Sequence, residues 1–160
     1  MKKTLCATLA LLFLLGSSCM KKKETPCDFD ECGFSVRSSE VANIQAYLNA
    51  QGITNAVQHC SGAFYTVVHT GTGETPSPCA SVRVAYGGYL TNGNNFDSSA
   101  SASFRLQALI PAWPLLVPKI KEGGEIVMYV PPSLGYGSSA NGPIPANSIL
   151  IFRVKLYEVQ

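Results

Sequence analysis

Residues 130–159 read VPPSLGYGSSANGPIPANSILIFRVKLYEV, and from Ser148 onward this stretch carries the clearest structural pattern in the chain. Leu150, Phe152, Val154 and Leu156 fall on one side, with Arg153 and Lys155 on the other. That is the two-residue period of a half-buried strand. Pro131-Pro132 ends the segment before it, where Ile126, Met128 and Val130 alternate in the same way. Proline cannot donate to a ladder, so the pair marks a strand end. Further upstream, Val82, Val84 and Tyr86 alternate with Arg83 and Ala85, and Asn92-Gly93 supplies a tight turn. Residues 63–69 are apolar and β-branched and run into the turn-forming GTGETPSP at 71–78.

Helical signals are fewer. Residues 113–120 suit one short helix, with Pro114 tolerated in its first turn and Pro118 limiting its length. Val41, Ile44, Tyr47 and Leu48 share a helical face within 39–51; Ser38 and Ser39 offer N-caps and Gly52 a stop. Its apolar stripe is expected to dock on the main domain. The expectation is an α+β fold: an antiparallel sheet with one short helix over it, preceded by an extra N-terminal helix. There is no internal repeat.

The chain starts MKKTLCATLALLFLLGSSC. Lys2 and Lys3 precede an eleven-residue apolar run, Leu5 to Leu15. A bilayer span needs about 20 residues, whereas the core of a cleavable export signal needs about 7–15. Gly16, Ser17 and Ser18 lead into Cys19, which resembles a bacterial lipobox, with Gly16 standing where Leu is common. Ordinary secretion with an incidental cysteine is the alternative, and both readings export the protein. The expected organisation is residues 1–18 as a lipoprotein-type signal peptide, 19–37 as a tether, 38–58 as a helical extension and 59–160 as the functional domain.

Removing 18 of 160 residues leaves 142, enough for one domain. Of 12 basic residues two lie in the leader, so 10 remain against 10 acidic ones. A neutral mature chain carries no electrostatic footprint for nucleic acid.

With Cys6 in the leader and Cys19 as lipid carrier, Cys27, Cys32, Cys60 and Cys79 remain. Four cysteines in an exported chain suggest two disulfides, with three connectivities open. Cys60 and Cys79 flank what reads as a first hairpin and could pair, leaving Cys27 with Cys32. Alternatively, Cys27 or Cys32 reaches Cys79 and staples the tether to the domain. A metal is not expected, since no second close cysteine pair exists and His59 and His69 stand apart. Redox catalysis lacks a Cys-x-x-Cys motif.

Conventional catalytic sets are also missing. No Ser/His/Asp set has usable context, and Asp97 is the only acid between Glu74 and Glu122. Aromatic side chains are concentrated there instead, and their context is informative. VRVAYGGYLTNGNNFDSS at 82–99, FRLQALIPAW at 104–113 and the stretch quoted first follow one another in the order of the motifs of the FKBP-type prolyl isomerases. The resemblance spans residues 62–160.

It implies a half-wrapped antiparallel sheet around a short helix, with a peptide-proline pocket between them and no cofactor. Tyr86, Phe96, Trp113 and Phe152 would line the pocket, Trp113 as its floor. Phe104, Leu106, Leu109, Ile110 and Ile144 would form its walls. The Ile110 N–H and the Tyr136 hydroxyl would bind substrate carbonyls, and Asp97 would face the reacting amide. Two departures stand out. SSASAS between Asp97 and Phe104 lacks the arginine that often pairs with the aspartate, and Leu106 replaces a common aromatic.

The implied activity is peptidyl-prolyl cis-trans isomerisation of Xaa-Pro bonds in unfolded or exported proteins, without a covalent intermediate. The alternatives are a proline-segment-binding chaperone or adaptor with little turnover, and a structural lipoprotein with a filled pocket. The expected partners are Xaa-Pro segments, macrolide inhibitors and a membrane reached through the anchor. A monomer is expected, held in a bacterial envelope at the outer membrane and facing the periplasm or the surface.

Overall fold

The computed structural model describes residues 27–160. The expected signal peptide, residues 1–18, and Cys19 lie outside the described residues. The elements are α1 (Ser38–Ala50), β1 (Val57–Gln58), β2 (Phe64–His69), β3 (Ser81–Leu90), β4 (Asn95–Arg105), α2 (Ala112–Leu116), β5 (Glu125–Val130) and β6 (Leu150–Val159). All strand pairs are antiparallel, in the order β1-β2-β5-β6-β3-β4. The expected α+β architecture is therefore observed, with one short helix against one face of the sheet and the extra helix before it.

Each face of the sheet has its own apolar cluster. On the inner face Val82, Val84, Ile126, Met128, Val130, Leu150, Phe152, Val154 and Leu156 pack with Trp113, Leu115 and Leu116 of α2. A 3-10 turn, Val117–Lys119, follows directly on α2, with Pro118 inside it. On the outer face Ile44 and Leu48 of α1 pack against Phe64, Val127 and Tyr129. β5 is consequently buried on both sides, in keeping with the unbroken apolar run Ile126 to Val130. The docked helix is what covers the second face.

α1 corrects the expected capping. Arg37 occupies the N-cap without a side-chain cap bond, and Ser38 already belongs to the helix. The first turn is fastened by Glu40 instead. Its buried carboxylate accepts hydrogen bonds from the Ser133 N–H (3.0 Å), the Ser133 hydroxyl (2.8 Å) and the Arg37 guanidinium (2.7 Å). At the other end Gly52 adopts a φ of 66°, and the Ile53 N–H bonds to the Leu48 carbonyl, closing the helix.

The disulfides join Cys27 to Cys79 and Cys32 to Cys60. Local pairing of Cys27 with Cys32 and of Cys60 with Cys79 is thereby overturned, and the stapled alternative holds. The segment between Cys60 and Cys79 is no hairpin, because β5 and β6 stand between β2 and β3 in the sheet. Residues 27–37 are thus bound to the domain, and Phe29, Phe34 and Val36 pack on the core. Glu31 adds a 2.7 Å ion pair to Lys119, at the end of the 3-10 turn after α2. That hydrogen bond holds the Glu31 carboxyl below its ordinary range.

Candidate active site

A hollow of about 120 Å³ opens between the inner sheet face and α2. It is built from five parts of the chain. β3 contributes Tyr86, β4 contributes Asp97 and Phe104, and β6 contributes Phe152. Leu109, Ile110 and Trp113 come from the segment entering α2, and Tyr136 comes from the turn after β5.

Trp113 is only 4% exposed. Three rings meet it edge to face: Tyr86 at 5.6 Å, Phe152 at 5.6 Å and Phe104 at 6.0 Å. Edge-to-face packing sets the positive ring edge against the negative face and fixes ring orientation more tightly than area burial alone. α2 can carry Trp113 at its start because Pro111 precedes the helix as its N-cap and the Trp113 N–H bonds back to the Ile110 carbonyl.

Polar groups sit around the rings. The Tyr86 hydroxyl donates to Asp97 Oδ2 at 2.7 Å. Burial, and then the Asp97 carboxylate, push the Tyr86 phenol up to about 12. Burial also raises the Tyr136 phenol, with the Asp97 charge adding to it. Both phenols consequently keep their protons at neutral pH and remain donors. Among the described residues, neither the Ile110 N–H nor the Tyr136 hydroxyl is engaged in a hydrogen bond.

Of the residues named from the sequence, Tyr86, Asp97, Phe104, Leu109, Ile110, Trp113, Tyr136 and Phe152 come together here. Phe96 stands behind them, with its ring edge-to-face on Phe152 at 5.5 Å. Leu106 and Ile144 do not line the hollow. Leu106 is fully buried at the start of a 3-10 turn, and Ile144 is buried in the inner core. Sequence reading missed Gly88, which lies against Phe96 and Phe152. Its signal was visible, since paired glycines inside a strand pattern indicate a close approach to the backbone.

The hollow is lined mainly by rings and aliphatic side chains, with the Asp97 carboxylate and the Tyr86 and Tyr136 hydroxyls at its edge, so its chemistry is that of an apolar cup ringed by fixed polar groups. Such a site can take a compact apolar ring and orient neighbouring amide carbonyls.

Residues 72–157 match the family described as FKBP-type peptidyl-prolyl cis-trans isomerase. The chain is 41% identical over 104 residues to the FKBP-type peptidyl-prolyl cis-trans isomerase FkpA of Escherichia coli K12, covering 62% of this chain and 38% of that protein. The chain thus spans well under half of that curated relative's length. The crystal structure of FkpA from Escherichia coli superposes with a TM-score of 0.69 at 35% identity, over 76% of this chain and 60% of that one. A peptidyl-prolyl cis-trans isomerase from Pseudomonas syringae pv. tomato has a TM-score of 0.68 at 23% identity, over 80% and 99% of the two chains, a likeness of fold alone.

Proposed function

This chain belongs to the FKBP-type peptidyl-prolyl cis-trans isomerase family, and from that premise we propose that it accelerates rotation about Xaa-Pro bonds in exported proteins. One observation carries the reading: a buried Trp113 held by Tyr86, Phe104 and Phe152, with an open apolar hollow in front and free donors beside it.

Rotation about an amide meets a barrier of about 18–20 kcal/mol because resonance holds the group planar. The twisted amide has lost that resonance and is less polar. An apolar cup therefore disfavours the planar, well-hydrated form relative to the twisted one, and binding is stronger at the transition state. In this proposal the proline ring rests on Trp113. The Ile110 N–H and Tyr136 hydroxyl hold the flanking carbonyls, and Asp97, oriented by Tyr86, faces the reacting amide. Leu109 and Phe104 close the sides.

The substrates proposed are Xaa-Pro segments of unfolded proteins, whose unaided isomerisation takes tens to hundreds of seconds. Export through residues 1–18 and lipid attachment at Cys19 complete the proposal. The two disulfides support an oxidising compartment. Among the described residues no helix is long and apolar enough to cross a membrane, so attachment rests on the proposed lipid. Cys19→Ala is expected to move the protein from the membrane fraction to the soluble one.

The deciding experiment is a protease-coupled proline-peptide assay on purified residues 20–160. Acceleration of the cis-to-trans step supports the enzyme. Peptide binding without acceleration would replace it with a chaperone or adaptor that holds proline segments.

A further inference from the structure

We propose that Gly88 is a positioning residue whose missing side chain seats Phe96, and through Phe96 sets the placement of Phe152 and Trp113. The proposal rests on reading the hollow in front of Trp113 as the proline site.

Gly88 lies in the interior of β3, where glycine weakens a strand and needs a reason. Backbone conformation is not that reason. Gly52, Gly62, Gly71, Gly93, Gly123, Gly137 and Gly142 have positive φ, but Gly88 does not. Space is the reason. A Cβ at Gly88 would lie 2.5 Å from both Cε2 and Cζ of Phe96 and 3.1 Å from Cε1 of Phe152. The first two contacts are impossible without movement, and they fall on a stiff ring rather than on the end of a flexible chain.

Register places Gly88 at the centre of the site's supporting row. It pairs with Asp97 on β4 and with Phe152 on β6, two residues that line the hollow. The β3–β4 register shifts between Gly88 and Tyr89, next to Phe96, and Asn95 Nδ2 clamps the shift by donating to the carbonyls of Gly88 and Asp97, each at 3.1 Å. Phe96 is thereby laid over Gly88, and its edge meets Phe152 at 5.5 Å with an interplanar angle of 87°. Phe152 in turn meets Trp113 at 5.6 Å. This chain of contacts accounts for a ring that borders the site without lining the hollow: Phe96 acts by holding Phe152.

Gly87 provides an internal control. It is the neighbouring glycine and projects to the opposite face, where a Cβ would meet the Tyr89 hydroxyl at 2.8 Å and Cε2 of the Tyr89 ring at 2.9 Å. The Tyr89 ring is exposed and can swing away.

The test compares wild type, Gly88→Ala, Phe96→Ala, the double variant and Gly87→Ala. The readouts are emission of the single tryptophan, kcat/KM on a proline peptide and the urea midpoint. Gly88→Ala is expected to shift Trp113 emission and lower kcat/KM about 10- to 100-fold, the scale of a small misplacement in a preorganised site. Gly87→Ala is expected to stay within about twofold of wild type. Added to Phe96→Ala, the Gly88 change is expected to cost less than about twofold, because its main clash is gone. Equal effects with and without Phe96 would overturn the proposal, as would a Gly88→Ala protein with only a lowered urea midpoint. If Gly88→Ala fails to fold, recovery in the double variant supports the proposal and continued failure overturns it. If wild type turns over no peptide, the functional reading falls and tryptophan emission alone decides the role of Gly88.

Discussion

The Tyr86 hydroxyl donates a 2.7 Å hydrogen bond to Asp97 Oδ2, joining β3 to β4 at the edge of the aromatic hollow. This one bond explains how an exposed aspartate is held in place without the arginine partner that the sequence lacks. It also gives the proposed mechanism an oriented carboxylate whose only side-chain partner among the described residues is a phenol.

Tyr86→Phe keeps the ring but frees Asp97. We expect kcat/KM on proline peptides to fall about tenfold, the scale of one hydrogen bond to a charged group, with KM for the peptide little changed. The linkage also has a definite sign. The folded phenol titrates at about 12 and the unfolded one at 10.0, so between those values the unfolded chain binds fewer protons and stability falls as pH rises. A urea series across that window should show a smaller alkaline loss in Tyr86→Phe than in wild type. Identical slopes would contradict the assignment.

Trp113→Phe shrinks the floor of the hollow while leaving an aromatic face. The buried site should lose about 1–3 kcal/mol of stability, read as a lower urea midpoint. Peptide binding should weaken as well. A variant that loses stability but binds and turns over peptide as wild type does would make Trp113 a core residue only.

Glu40 ties α1 to the turn that leads into Tyr136. Burial alone would raise its carboxyl, but the Ser133 N–H and hydroxyl and the Arg37 guanidinium outweigh it and leave it below its ordinary 4.5. A depressed folded value means stability that is present above 4.5 and lost as pH falls through the folded value. Glu40→Gln should therefore cost about 1–3 kcal/mol at neutral pH, most of it from the Ser133 bonds because Arg37 is 71% exposed. The gap to wild type should narrow in acid. A gap that stays constant from neutral pH down to acid would refute the charged tie.

Removing a disulfide tests the stapled segment. The Cys27–Cys79 link closes a separation of 52 residues and Cys32–Cys60 one of 28. Chain entropy predicts about 3–4 kcal/mol for each taken alone, and less than the sum together because one loop encloses the other. Denaturant curves for the paired Cys→Ser variants measure both. Loss of Cys32–Cys60 should also loosen the Glu31–Lys119 ion pair at the end of the turn after α2, seen as a rise in amide exchange there.

Local pattern was enough for most of the elements, and the resemblance of three motifs named the residues that meet around Trp113. β6 was readable because Leu150, Phe152, Val154 and Leu156 face one way while Arg153 and Lys155 face the other, and α1 because Ile44 and Leu48 recur at helical spacing before a glycine stop. The rings around Trp113 were named through the resemblance of three short motifs to a known family, since their number alone would have read as an ordinary core. What alternation cannot say is which distant surface a face will meet. The helix that covers the outer face of β5, the seating of Leu106 and Ile144 in the core, the Glu40–Ser133 tie, the disulfide partners and the space above Gly88 all depend on strand order and on loops closed between residues far apart in the chain. A residue's own neighbours decide its direction; only the assembled sheet decides its company.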